Sequence, residues 1–152
     1  MNKPLLIVYH SQSGTSARYA WAALQGAGRE PGSSARLLRA CDADTSAVAE
    51  AGGLLLVAAE NSGSLAGGMK DFLDRVFYPL IARGVVIPYG LVVSAGNDGR
   101  GAAGQTGKIL SGIPLKPVSE PLILRGELRP DYLAACADTG QAMAAGLLMG
   151  IF

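Results

Sequence analysis

The chain is poor in charge, and that scarcity shapes every other reading. Only 16% of residues are charged, and 13 Lys and Arg stand against 12 Asp and Glu. A balance this even gives no basic footprint for nucleic acid and none for an anionic membrane surface. Histidine occurs once and cysteine twice, as Cys41 and Cys136, far apart and with no ligand at metal spacing. A zinc centre and a disulfide framework are therefore not expected, and both thiols are read as reduced. The longest apolar stretch toward the C-terminus, Ala142 to Phe152, falls short of the roughly 20 residues a membrane span needs. No charged-then-apolar leader precedes the first apolar run. The expectation is a soluble cytoplasmic protein.

What is present is apolar and rich in glycine. Hydrophobic residues make up 49% of the 152, so a filled core is expected and disorder is not. Residues 1–152 read as a single domain, without linker, repeat or low-complexity segment. Apolar runs alternate with helical patterns. Strands are expected at Leu5 to Tyr9, Ala35 to Leu38, Gly53 to Ala59, within Val85 to Ser94 and within Leu115 to Leu124. Helices are expected from Thr15 to about Gly26, from Asp44 to Glu50, from Gly68 to about Arg83, near Gln105 to Leu110, and from Asp131 to Leu148. In the third of these, Met69, Phe72, Leu73, Val76, Phe77 and Leu80 form a core-facing stripe. Lys70 with Asp74 and Asp71 with Arg75 sit one turn apart as surface pairs.

Such alternation predicts an α/β fold of three layers, a doubly wound, five-stranded parallel sheet. With strand order 2-1-3-4-5, ligands bind where the order reverses, so the loops after strands 1, 3 and 4 line one crevice. The first, Ser11-Gln12-Ser13-Gly14-Thr15-Ser16, follows an apolar strand and opens a helix. It holds hydroxyls, an amide and one glycine, and neither Lys nor Arg. Helix amides and the positive end of the helix dipole suit a phosphate there, though Ser and Thr also favour an ordinary N-capped start. The dinucleotide fingerprint lacks two of its glycines, and the Walker lysine is missing. Ser11 stands where a low-molecular-weight phosphatase needs cysteine. The carboxylate cluster of a phosphoacceptor domain is replaced by Tyr9-His10-Ser11.

The second loop, Glu60-Asn61-Ser62-Gly63-Ser64, and the third, Ala95-Gly96-Asn97-Asp98-Gly99, are small and polar. Gly63 and Gly96 serve either as turn residues or as backbone that meets the edge of a flat heteroaromatic ring. Glu60, Asn61 and Asp98 are either solvated or placed against that edge. Arg100 and Lys108 are either exposed or receive a dinucleotide's phosphates. His10 reads as structural, and Trp21 as packed within the first helix.

The first loop matches the hydroxyl-any-hydroxyl-Gly-any-hydroxyl phosphate pattern, and Glu60 to Ser64 is followed by Met69-Lys70-Asp71-Phe72-Leu73-Asp74-Arg75. On these residues the chain resembles the flavodoxin-like superfamily, in particular its FMN-dependent NAD(P)H and quinone reductases. The resemblance implies non-covalent FMN held by Ser11, Gln12, Ser13, Gly14, Thr15, Ser16, Glu60, Asn61, Ser62, Gly63, Ser64, Ala95, Gly96, Asn97, Asp98 and Gly99. It implies NAD(P)H as electron donor, a quinone or other small acceptor, and no side-chain nucleophile or metal. Ser62 stands where these proteins often carry an aromatic, and the acidic surface of the electron carriers is missing. Both features favour the reductase over a flavodoxin that shuttles electrons to a redox protein. A flavin-free binding module of the same fold is the remaining reading. The apolar C-terminus is compatible with a homo-oligomer.

Overall fold

The computed structural model describes residues 2–152. Its elements run β1 (Leu5–Tyr9), α1 (Thr15–Ala27), β2 (Ala35–Arg39), α2 (Thr45–Ala49), β3 (Gly53–Asn61), β4 (Ser64–Leu65), α3 (Gly67–Ala82), β5 (Pro88–Ala95), α4 (Arg100–Gly112), β6 (Lys116–Pro117), β7 (Leu122–Arg125) and α5 (Pro130–Met149). A short 3-10 turn, Ala40–Asp42, follows β2. The principal path through the sheet is β2-β1-β3-β5-β6, with β7 also paired to β5, and these ladders are parallel. This is the expected doubly wound order.

Alternation along the central strands builds both faces of the core. Leu6 and Val8 of β1 join Leu54, Leu56 and Ala58 of β3 under α2, α3 and α4. Leu5 and Ile7 join Leu55 and Val57 under α1 and α5. A parallel strand covered on both sides reads as an unbroken apolar run because each face has its own helix layer. Met69, Phe72, Leu73, Val76 and Leu80 are buried as their spacing predicts. The pairs Lys70–Asp74 and Arg75–Asp71 form at 2.6 and 2.9 Å.

Differences from expectation include the added strand β4, the exposure of Trp21, and two changes in the C-terminal half. The fifth strand is split, with β6 and β7 separated by Val118 to Pro121. Prolines at 117 and 121 remove ladder donors there, so pairing with β5 is interrupted. The helix α4 starts at Arg100 rather than near Gln105, because glycines that weaken a helix pattern are tolerated once the face holding Ala102, Ala103, Thr106 and Leu110 is buried. Trp21 is not packed inside. It is 55% exposed, on the outer side of α1 beside Leu133 and Ala137 of α5. The helices α1 and α5 come too close for side chains at their crossing, where a Cβ on Gly26 would collide with the Ala137 carbonyl and one on Gly140 with the Ala23 carbonyl.

Candidate functional site

The register places the C-terminal ends of β1, β3 and β5 side by side: Tyr9 pairs with Val57, and Ala59 with Ser94. The loops that follow form one rim, so the sequence-predicted residues of all three loops are brought together.

The first loop folds on itself. The Gly14 amide donates to Ser11 Oγ at 3.0 Å. Gly14 has φ 102°, a conformation that side chains disfavour, and it caps α1 without any side-chain capping bond. The first intrahelical bond runs from the Arg18 amide to the Gly14 carbonyl at 3.0 Å. The amides of Thr15, Ser16 and Ala17 at the helix start therefore have no intrahelical acceptor. Gln12 and Ser13 are exposed on the loop. The Ser16 side chain faces inward: its hydroxyl is buried and lies 2.9 Å from that of Ser94 on β5, leaving the main-chain N–H for any ligand. Ser94 was missed in the sequence, although a hydroxyl inside the apolar run Leu91-Val92-Val93-Ser94-Ala95 was a usable signal.

The second loop is a tight hairpin between the end of β3 and β4. Glu60 pairs with Leu65 and Asn61 with Ser64 in antiparallel register. Ser62 and Gly63 turn the chain with φ 51° and 76°, both in the left-handed region that a two-residue turn of this hand requires. Asn61 Nδ2 donates to Gln12 Oε1 at 2.9 Å, joining the first and second loops.

The second and third loops are joined more firmly. The Glu60 carboxylate accepts from the Gly99 amide at 2.9 Å and from the Ala102 amide at 3.0 Å. A third bond runs from the Leu65 amide to Gln105 Oε1 on α4 at 2.8 Å. Gln105 was also missed in the sequence; a helix-interior glutamine facing a ligand loop carries little signal. Gly101 sits so near the Gly63 carbonyl that a Cβ there would collide with it.

On the third loop, Gly96, Asn97 and Asp98 are exposed and Ala95 is buried. Asp98 bonds Arg100 Nε at 2.7 Å, and this bond, with a further one from the Arg100 amide, holds its carboxyl below the ordinary range. Arg100 is thus occupied with Asp98 rather than free, whereas Lys108 is exposed further along α4. Arg125 Nε donates to the Asp98 carbonyl at 2.7 Å and braces the loop from β7. Cβ positions on Gly14, Gly63, Gly67 and Gly96 would meet nothing within 4 Å, so open space lies beside all three loops. His10 packs against Gly68 at the start of α3. It also borders a cavity of about 170 Å³ with Tyr9, Ser11, Arg39, Ala40 and Cys41, on the β2 side of the first loop.

Among the described residues no group of His, Cys, Asp or Glu is arranged to hold a metal ion, and no helix is long and apolar enough to cross a membrane. Chemically, the rim offers main-chain donors for an anion at α1 and bare backbone edges for a flat group between the second and third loops.

No protein-family model matches the chain, and no curated protein matches it in sequence. Solved structures do match in fold. A flavodoxin from the domain Archaea superimposes with TM-score 0.84 at 16% identity, over 95% of this chain and 99% of that one. The flavodoxin, WrbA-like protein from Agrobacterium tumefaciens gives 0.81 at 17% identity, over 97% and 98%. The flavodiiron protein from Giardia intestinalis gives 0.82 at 18% identity, and this chain spans only 36% of its length. The chain has the flavodoxin-like fold.

Proposed function

We propose that residues 1–152 act as one flavodoxin-like domain that binds FMN non-covalently and works as an NAD(P)H-dependent oxidoreductase toward a quinone or another small acceptor. The observation that supports this most is the uncharged first loop, where left-handed Gly14 leads into α1 and the amides of Thr15, Ser16 and Ala17 lack intrahelical acceptors. A phosphate ester fits this donor set, and Ser13 and Thr15 add hydroxyls next to it. The cofactor's ring fits between Asn61, Ser62, Gly63 and Ser64 on one side and Gly96, Asn97, Asp98 and Gly99 on the other. Gly63, Gly96 and the small side chains leave that space free. Bound FMN would supply the electron-transfer chemistry. The protein's part is to hold the phosphate, present one ring face and exclude bulk from the other.

The lack of any Trp or Tyr in the second and third loops favours a small donor such as NAD(P)H reaching the ring face. The test is the visible spectrum of the purified protein, FMN titration, and rapid mixing with NADH or NADPH. A yellow holoprotein whose flavin band bleaches within seconds agrees with the proposal. A yellow protein that does not bleach removes the reductase, and one that takes up no FMN removes the flavoprotein. Likeness in fold to a flavodoxin supports a second reading, a carrier for a redox-protein partner. That reading requires negligible direct oxidation of NAD(P)H. Exposed Met149, Ile151 and Phe152 at the opposite pole are compatible with self-association, which sedimentation would register.

A further inference from the structure

A helix is ordinarily capped by its own N-cap side chain, with Ser, Thr, Asp or Asn bonding the amide two or three residues on. The helix α4 has no such option. Its N-cap, Gly99, has φ 88°, and a Cβ there would collide with Ile123. The cap comes instead from the opposite wall, where Glu60 accepts from both Gly99 and Ala102 at 2.9 and 3.0 Å. Asp98 takes the Arg100 amide from within the loop, so it is the Gly99 and Ala102 part of the α4 cap that is conditional on the hairpin lying against it. The hairpin has little cohesion of its own, since β4 has only two residues, and so short a ladder is marginal alone.

We infer that Glu60 is a positioning residue: a charged clamp that sets the width of the crevice between the hairpin and the 96–99 loop and, through its negative charge, disfavours electron gain by a redox ring held there. Two amides at a helix N-terminus orient the carboxylate and keep its charge fixed between the two walls. Gln105 provides a neutral counterpart, holding the same hairpin through the Leu65 amide without any charge. The pair separates geometry from electrostatics.

The redox half of this inference rests on the FMN reading, so the test includes an arm without cofactor. Glu60→Gln and Gln105→Leu are compared with the unsubstituted protein by FMN titration, by equilibrium redox titration of bound FMN, and by amide hydrogen exchange of the apoprotein. In Glu60→Gln the amide NH2 opposes one of the two helix amides, so one charge-assisted bond and the charge are lost. Affinity for oxidised FMN should fall about tenfold. The midpoint potential should rise, because reduced FMN loses less affinity than oxidised FMN. Gln105→Leu should weaken FMN binding with an unchanged ratio of oxidised to reduced affinity. Without cofactor, exchange at Gly99 and Ala102 should accelerate in Glu60→Gln. An unchanged ratio in Glu60→Gln, or unchanged exchange at Gly99 and Ala102, overturns the clamp. Failure of the unsubstituted protein to bind FMN, with exchange still accelerated in Glu60→Gln, removes the cofactor reading and leaves the clamp between the loops standing.

Discussion

Replacing Gly14 with alanine isolates the strain that shapes the first loop. Gly14 has φ 102° and ψ −14°, and a Cβ there would meet nothing within 4 Å, so no steric clash contributes. The cost is conformational, about 1–2 kcal/mol for a residue with a side chain on the left-handed side of the map. With 152 residues and an unfolding entropy of about 2.1 cal/mol/K per residue, each kcal/mol moves the midpoint by about 3 °C. Gly14→Ala should therefore melt about 3–6 °C lower. If the loop relieves the strain by rotating the peptide, the Gly14 amide leaves Ser11 Oγ and the amides at the start of α1 change direction. FMN binding should then weaken about tenfold or more, since each 1.4 kcal/mol is a factor of ten. Gly96→Ala is the control: its φ is ordinary and its surroundings are open, so its melting point should stay or rise slightly. Calorimetry and fluorescence titration read both variants. A Gly14→Ala protein as stable as the parent, with equal FMN affinity, would refute the assignment of strain and cradle to this residue.

Other outcomes follow from the same packing. Gly26→Ala, ordinarily worth up to about 1 kcal/mol gained inside a helix, should here cost about 2–3 kcal/mol in urea unfolding, because its Cβ meets the Ala137 backbone. The Tyr19 hydroxyl is buried without a hydrogen-bond partner, so Tyr19→Phe should be neutral or stabilising by up to about 1 kcal/mol; a clear loss would reveal a partner for that hydroxyl. Burial pushes the Cys136 thiol up to about 12, while in the unfolded chain it ionises near 8.5. Above pH 8.5 the unfolded state gives up a proton that the native state keeps, so this thiol's contribution to stability falls as pH rises toward 12. Cys136→Ser or Ala should flatten that decline in unfolding experiments at pH 8 to 11. A thiol reagent at pH 8 should label exposed Cys41 alone until the protein is unfolded.

Much of the architecture was legible because strong periodicities met few competing signals. The apolar runs of β1 and β3 had a single reading, and the stripe from Met69 to Leu80 had one face to bury. The split of the fifth strand was not legible, since Leu115 to Leu124 carries enough apolar residues for one strand and only the prolines hint at the break. At the site, the composition of the loops identified the rim, but not how its side chains are spent. Ser16 looked like a ligand hydroxyl and turns to Ser94. Glu60 read as either solvated or set against a ring edge, and its carboxylate caps a helix that begins about 39 positions further along the chain. Arg100, read as either exposed or receiving a dinucleotide's phosphates, is exposed and pairs with Asp98. The partners of Ser16 and Glu60 are set by tertiary approach of distant segments, which leaves no periodic trace in a single sequence, whereas Asp98 and Arg100 meet within one loop.

The central claim is that main-chain amides and hydroxyls at the start of α1 hold a phosphate, with a flat ring between the two glycine-bearing loops. Parallel titration of the purified protein with FMN and with riboflavin tests it most directly, since the two ligands differ only by that phosphate. The account predicts saturable, micromolar or tighter binding of FMN, with riboflavin weaker by a factor of at least about ten. Equal affinity for both ligands, or no saturable binding of FMN, would contradict it.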